Sequence, residues 1–237
     1  MSKVALPHTH RGFCHCCRTE ANLTIWGEWL RDTYRCDVCG SMPRQRHLNF
    51  VLDQYFPDWQ NSAIHESSPS NAYVSNWSTN YSSSQYFPDV EGGATHNGIR
   101  CENIEALSFS DECFDLFITQ DVMEHVFRPD VAFAEIMRVV KPGGAHIFTA
   151  PKHKGIHKSY RRASLDGERI LHIYPPAYHG NPVGDGKALV IFDYGDDFEA
   201  LASGWGGYPM TTHITRDRGL GLDGEYLELF VMRKIKV

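Results

Sequence analysis

The sequence predicts an α/β fold: a doubly wound, mostly parallel sheet preceded by a small cysteine-rich module. Three observations carry this. From residue 60 onward, short apolar runs alternate with amphipathic segments of helix length, the pattern of βαβ units. One run, "CFDLFITQDV" (113–122), is almost continuously apolar, as a central parallel strand buried on both faces must be. Five of the seven cysteines fall within the first 39 residues.

The cysteines come first in the chain. Cys14 and Cys17 form one C-x2-C pair, Cys36 and Cys39 a second. Two such knuckles close a tetrahedron of thiolates, which predicts a structural zinc ion on a ribbon-like module spanning 1–45. Cys16 competes with Cys14 or Cys17 as a ligand, and His15 is a weaker competitor. Between the pairs, "LTIWGEWLRDTYRC" is β-prone and is interrupted at Gly27, so a hairpin is expected there. A helix follows. Leu48, Val51, Leu52 and Tyr55 recur at helical spacing, Pro43 suits the first turn and Ser41 is a candidate cap. It is expected to link, over 46–60, to the main domain at 61–237.

In the main domain, "SAIHE" (62–66), "SSSQYF" (82–87) and "GIRCEN" (98–103) read as strands, and "SNAYVSNW" (70–77) reads as a helix. "PDVAFAEIMRVV" (129–140) is an amphipathic helix with Phe133, Ile136, Met137 and Val140 on its apolar face. "KPGG" (141–144) stops it, and "AHIFTAP" (145–151) is the next strand. An insertion is expected around 152–195. "GDDFEALASGW" (195–205) is then a helix, followed by strands at "YPMTTHIT" and "YLELFVMRKIKV".

Composition bounds the function classes. Hydrophobic residues make up 42% and charged residues 22% of the 237, as in an ordinary globular protein. No apolar run reaches the length of a membrane span. The first residues lack an apolar segment with a small-residue cleavage site, so no secretory signal is read and a cytoplasmic setting is expected. Lys and Arg number 23 against 29 Asp and Glu, a net charge of −6, which disfavours a nucleic-acid partner. The two basic clusters, 43–47 and 152–162, read first as solvated surface.

"LSFSDECFDLFITQDVMEHVFRPDVAFAEIMRVVKPGGAHIFTAP" (107–151) resembles the central segment of class I S-adenosylmethionine-dependent methyltransferases of the type 11-like group. The matching pieces are Phe109, Phe114–Asp115, Glu124–His125, Glu135, Arg138, Lys141–Gly144 and Pro151; Ser108 replaces a proline in the family pattern. The cysteine module, a first strand ending in Glu-Ser-Ser and the downstream "PPAYHGNP" are similar to a bacterial subgroup of that family. The resemblance implies a Rossmann-like sheet, mostly parallel with its last strand antiparallel, and S-adenosylmethionine as cofactor.

It also implies site residues. Glu66 ends the first strand, and the family's glycine-rich turn falls on Ser67, Ser68, Pro69 and Ser70, where small side chains keep backbone access but glycine's special dihedrals are lost. Gln85 stands where the family's ribose-binding acid would lie. Asn103, with Ile104 beside it, replaces the acidic residue that contacts adenine. Thr119, Gln120 and Asp121 are expected to line the pocket. His125 and His179 are the candidate catalytic residues, and Tyr160, Tyr174 and Tyr178 a candidate wall. The expected reaction is methyl transfer to a small-molecule or sugar-type acceptor, on oxygen. One alternative is an RNA or protein methyltransferase that docks through the ribbon with Arg44, Arg46, Lys152, Lys154, Arg161 and Arg162. Another is a non-catalytic, zinc-stabilised module with a degenerate cofactor turn.

Overall fold

The computed structural model of the chain describes residues 6–180 and 186–236. Contacts divide it into two compact units. Unit 1 comprises Met1–Asn61, Ala72–Thr79 and His213–Leu229; unit 2 comprises Ser62–Asn71, Asn80–Thr212 and Phe230–Val237.

Unit 1 opens with three antiparallel strands, β1 (His8–Cys14), β2 (Thr19–Ile25) and β3 (Tyr34–Cys36), with the single-turn α1 (Leu30–Thr33) in the loop of the expected hairpin. The first strand of the three had no expectation attached to it. The helix α2 (Pro43–Tyr55) starts at Pro43, whose missing N–H would have no partner there anyway. Ser41 is not its cap. Met42 holds that position, and its N–H donates to the Gln45 side chain at 2.9 Å. Leu48, Val51 and Leu52 are buried, while Tyr55 is half exposed.

The unit is sewn from separate stretches of chain by buried polar groups. The Arg46 guanidinium is fully buried and donates to the carbonyls of Ser41, Tyr34 and Gly221. His47 Nδ1 lies 2.8 Å from the Leu227 carbonyl. The first stretch of unit 1 ends at Asn61, and the unit also takes in 72–79 and 213–229, which were expected in the main domain. Residues 70–77 do not form the expected helix. Ser70 and Asn71 are poor helix formers, and the side chains that follow are anchored elsewhere in unit 1. The Tyr73 hydroxyl donates to the Cys39 carbonyl at 2.7 Å, and Trp77 Nε1 donates to the Cys16 carbonyl at 2.8 Å.

Unit 2 begins with β4 (Ile64–Ser67), β5 (Tyr81–Gln85), β6 (Thr95–His96), β7 (Ile99–Cys101), β8 (Phe114–Gln120), α3 (Pro129–Val139) and β9 (Val140–Thr149). The insertion contributes three short antiparallel pairs: β10 (Tyr160–Arg161) with β15 (Phe192–Asp193), β11 (Ala163–Asp166) with β12 (Arg169–His172), and β13 (Tyr178–Gly180) with β14 (Lys187–Leu189). Asn181 and Pro182 of the "YHGNP" motif lie outside the described residues. Then come α4 (Phe198–Gly206), β16 (Met210–His213) and β17 (Leu229–Arg233).

The main sheet runs β16-β17-β9-β8-β4-β5-β7-β6. The pairs from β9 through β7 are parallel, and β17 is antiparallel to β9, as expected. Strand order reverses between β4 and β8. In such sheets that crevice, at the strands' carboxyl ends, is where a ligand sits. Phe133, Ile136 and Met137 on α3 pack into the core with Phe117, Phe148 and Phe230. The "KPGG" segment is not a loop. The chain passes from α3 straight into β9, and the register against β8 shifts between Phe114 and Leu116. Gly144 is required there, because a Cβ would collide with the Asp115 carbonyl oxygen. Among the described residues no helix is long and apolar enough to cross a membrane.

Candidate active site and four-cysteine cluster

The turn after β4 departs from expectation in an informative way. Ser68 adopts φ +56°, the left-handed region that glycine normally fills. The backbone shape is kept without the glycine, and the Ser68 N–H donates to the Ser84 carbonyl at 2.8 Å. Ser67 is buried at the end of β4, and Ser70 lies in the turn beyond it. Gln85 ends β5, with Nε2 at 3.4 Å from the Pro69 carbonyl.

Glu66 is 2% exposed. Tyr81 donates its hydroxyl to one carboxylate oxygen at 2.8 Å, and Gln120 Nε2 donates to the other at 2.9 Å. Burial pushes the Glu66 carboxyl up to about 7, against the lowering effect of these two hydrogen bonds. Tyr81 was not foreseen as part of the site; it lies one strand away and nothing in its local sequence marks it.

The remaining candidates divide. Asp121 follows β8 at φ +53° and is tied to β9 through Thr149, whose hydroxyl donates to Oδ1 at 2.9 Å. Gln120 reaches Glu66. Thr119 does not face a pocket: it is fully buried, and its hydroxyl is 3.0 Å from His146 Nε2. Strand alternation explains this, because Thr119 and Gln120 must point to opposite faces. The Asn103 side-chain oxygen accepts the Glu105 N–H at 2.9 Å, which leaves one lone pair for a ligand. Ile104 is 5% exposed and packs in the main core.

His125 and His179, far apart in sequence, meet. Their rings are perpendicular, with centroids 5.1 Å apart. Both stand against Glu124, at 3.7 Å for His125 Nε2 and 3.3 Å for His179 Nδ1. His125 Nδ1 is 2.8 Å from the Leu189 carbonyl. The Glu124 backbone oxygen accepts the Ile191 N–H at 2.8 Å, so the segment after β8 is fastened to the end of the insertion. Glu124 was visible only as a member of a motif; its place between the two histidines depends on the fold. Tyr160 and Tyr174 meet with ring centroids 5.0 Å apart and planes tilted by 53°, and Tyr178 is exposed.

In unit 1 the sulfurs of Cys14, Cys17, Cys36 and Cys39 all lie within 4.8 Å of one another. Cys14 and Cys39 are 3.7 Å apart, and Cys17 and Cys36 are 3.9 Å apart. A zinc–sulfur bond of about 2.3 Å gives a tetrahedron with edges of about 3.8 Å. Hydrogen bonds from Cys16, Cys36 and Cys39 push Cys14 toward the thiolate, while burial holds Cys16 protonated. Cys16 is outside the cluster and takes a hydrogen bond from Asn49 at 3.6 Å. His15 is paired with Asp53 at 2.9 Å.

Comparison with known proteins fits this architecture. Residues 63–148 match the family described as "Methyltransferase domain". A ubiquinone/menaquinone biosynthesis C-methyltransferase of Shewanella pealeana is 38% identical over 61 residues, 24% of each chain. The chain thus spans about a quarter of the length of the curated relatives it matches. A complex between a methyltransferase activator and a methyltransferase from Haloferax volcanii aligns with TM-score 0.53 at 11% identity, over 82% of this chain and 91% of that one. An amino pentose methyltransferase of Micromonospora echinaspora, solved with S-adenosylmethionine bound, gives TM-score 0.50 at 11% identity, over 81% and 91%. These two likenesses establish the fold. The strand order, with its reversal between β4 and β8, defines a doubly wound α/β domain. Within that class, residues 63–148 are similar to the methyltransferase-domain family.

Proposed function

We propose that the protein transfers the methyl group of S-adenosylmethionine to an oxygen of a small-molecule or sugar-type acceptor, and that a structural zinc ion is held by Cys14, Cys17, Cys36 and Cys39. The observation that carries the catalytic reading is the meeting of His125 and His179 at Glu124, just beyond the end of β8. When bound, the cofactor supplies a methyl group already activated on a sulfonium. Glu66, Ser67, Ser68 and Ser70 hold its methionine end, Gln85 the ribose, and Asn103 and Ile104 the adenine, with Gln120 and Asp121 completing the pocket. The Glu124–His125–His179 cluster receives the acceptor. The cluster would orient the acceptor hydroxyl toward that methyl group, and one of its basic groups would take the hydroxyl proton.

The acceptor class rests on the net charge of −6 and on the compact insertion over this region. Four of the six basic side chains considered for a macromolecular partner are engaged within the protein. Arg46 is buried, Lys152 pairs with Glu199 at 2.7 Å, Arg162 pairs with Asp193, and Arg161 donates to the Phe127 carbonyl. The Ser68 backbone speaks against a degenerate cofactor turn. Calorimetry with S-adenosylmethionine, followed by transfer of labelled methyl to pools of hydroxylated acceptors, tests the reading. Absence of cofactor binding would overturn it.

Glu66 gives a pH-dependent test. Its carboxyl is held near 7 in the fold against about 4.3 in an unfolded chain, so the folded state binds the proton more tightly. The stability this contributes is present below the unfolded value and is lost as pH rises to about 7. Glu66→Gln is therefore expected to stabilise the unliganded protein at pH 8, by roughly 4 kcal/mol at most. The same change is expected to weaken S-adenosylmethionine binding by about 1.5–3 kcal/mol, through loss of a charge-assisted hydrogen bond. Thermal melts at pH 5 and pH 8, paired with calorimetry, check both signs. An unchanged dissociation constant would show that Glu66 does not serve the cofactor.

A further inference from the structure

We propose that Glu124, His125 and His179 form a second metal site, one for a first-row transition divalent cation, distinct from the four-cysteine cluster. The proposal takes from the functional reading only the acceptor-side location of the two histidines; the site itself stands on geometry.

The donor atoms of the three residues lie within 4.8 Å of one another. Glu124 is 1% exposed, and neither of its carboxylate oxygens has a hydrogen-bond partner among the described residues. A buried carboxylate in that state is costly unless a cation or a donor meets it. What faces it is two imidazoles. A carbonyl oxygen only accepts, so the 2.8 Å contact to Leu189 fixes the proton of a neutral His125 on Nδ1. The Nε2 lone pair of His125 then points at Glu124 from 3.7 Å, acceptor against acceptor. A simple Glu124–His179 dyad would satisfy one oxygen and leave that opposition in place. A cation between the three donors removes it.

The details agree with metal ligation. A ligating histidine usually donates its other ring N–H to a carbonyl or carboxylate, as His125 does to Leu189. Bonds of about 2.1 Å around a tetrahedral ion separate neighbouring donors by about 3.4 Å. The 3.3 and 3.7 Å spacings at Glu124 need only small side-chain shifts to reach this. Two imidazoles and one carboxylate suit zinc, manganese, iron(II) or cobalt better than magnesium or calcium, which prefer all-oxygen sets. Three protein ligands leave further positions open, the mark of a site that takes water or a substrate oxygen. The His179 side chain is 42% exposed, which gives that open side a path to solvent. An acceptor hydroxyl bound to such an ion becomes more acidic and loses its proton to water at neutral pH.

Cobalt(II) separates the two sites in the full-length protein. Four thiolates give intense sulfur-to-metal charge-transfer absorption, whereas a site of two nitrogens and an oxygen gives only weak d–d bands. Wild type, metal-stripped and titrated with cobalt, is expected to show both. His179→Ala changes an exposed side chain and should fold; it is expected to lose the weak bands and about one ion per chain, and to keep the thiolate bands. Glu124→Gln should do the same. Cys36→Ser should show the reverse pattern. Retention of calorimetric S-adenosylhomocysteine binding by His179→Ala shows that the domain is intact. Metal content and spectra that are identical in wild type and His179→Ala would overturn the site. Turnover lost in that variant without any change in bound metal would also overturn it, and would leave a bare histidine base with the functional reading standing. Failure of wild type to bind the nucleoside would overturn the functional reading alone.

Discussion

Replacing Cys36 by Ser is expected to abolish zinc binding and unfold the cysteine module. The variant leaves three thiolates, and serine's hydroxyl is a poor substitute for a thiolate ligand at neutral pH. Nearly isosteric, it creates no cavity to blame. Beyond the polar ties already described, its apolar core is small: the buried cluster consists of Ala21, Leu23, Ile25, Tyr34 and cysteines. Structural zinc contributes on the order of 10 kcal/mol in small modules of this kind. The damage should reach residues 72–79 as well, because Tyr73 and Trp77 are tied to the carbonyls of Cys39 and Cys16. Amide exchange is expected to rise across β1, β2, β3 and 72–79, with β4, β8 and β9 still protected. Cys16→Ser is the control: its sulfur is outside the cluster, so zinc should remain. Wild type purified without chelator and found free of zinc would refute the assignment.

The sheet was legible because burial on both faces leaves a simple trace. "FDLFIT" and "AHIFT" are mostly apolar, and each became part of a central strand. The cysteine pairs were equally direct, since two residues between thiols set the local geometry. What escaped the sequence depends on pairings distant in the chain. Ser68 occupies glycine's region of backbone space, and no local rule says a serine will do so. Residues 70–77 carry a helix-like pattern, but hydrogen bonds to two carbonyls of the knuckles hold them in a turn. Thr119 was expected in the pocket because it ends an important strand. The alternation of side chains sends its hydroxyl to His146 instead. Glu124 looked like a motif residue and is in fact the group on which both histidines converge.

His179→Ala is expected to lower turnover about 100- to 10,000-fold, the range for loss of a positioned proton acceptor. Cofactor affinity should hardly change, because Glu66, Gln120 and the serine turn are untouched. The split is what gives the test its force. A histidine that merely pinned β13 to β14 would alter stability and acceptor affinity together, yet β13 is short and exposed, so its loss should cost the fold little. His125→Ala should share the defect, because both rings converge on the same carboxylate. The pair should be non-additive: once one histidine is gone, removing the second should cost much less than the product of the two single effects, as groups acting as a unit do. Steady-state kinetics of the two single variants and the double variant, at saturating cofactor, measure this directly. Near-normal turnover of His179→Ala at saturating acceptor would remove the histidine from the chemistry. Full additivity of the two losses would show that the rings act separately and that Glu124 does not join them into one site.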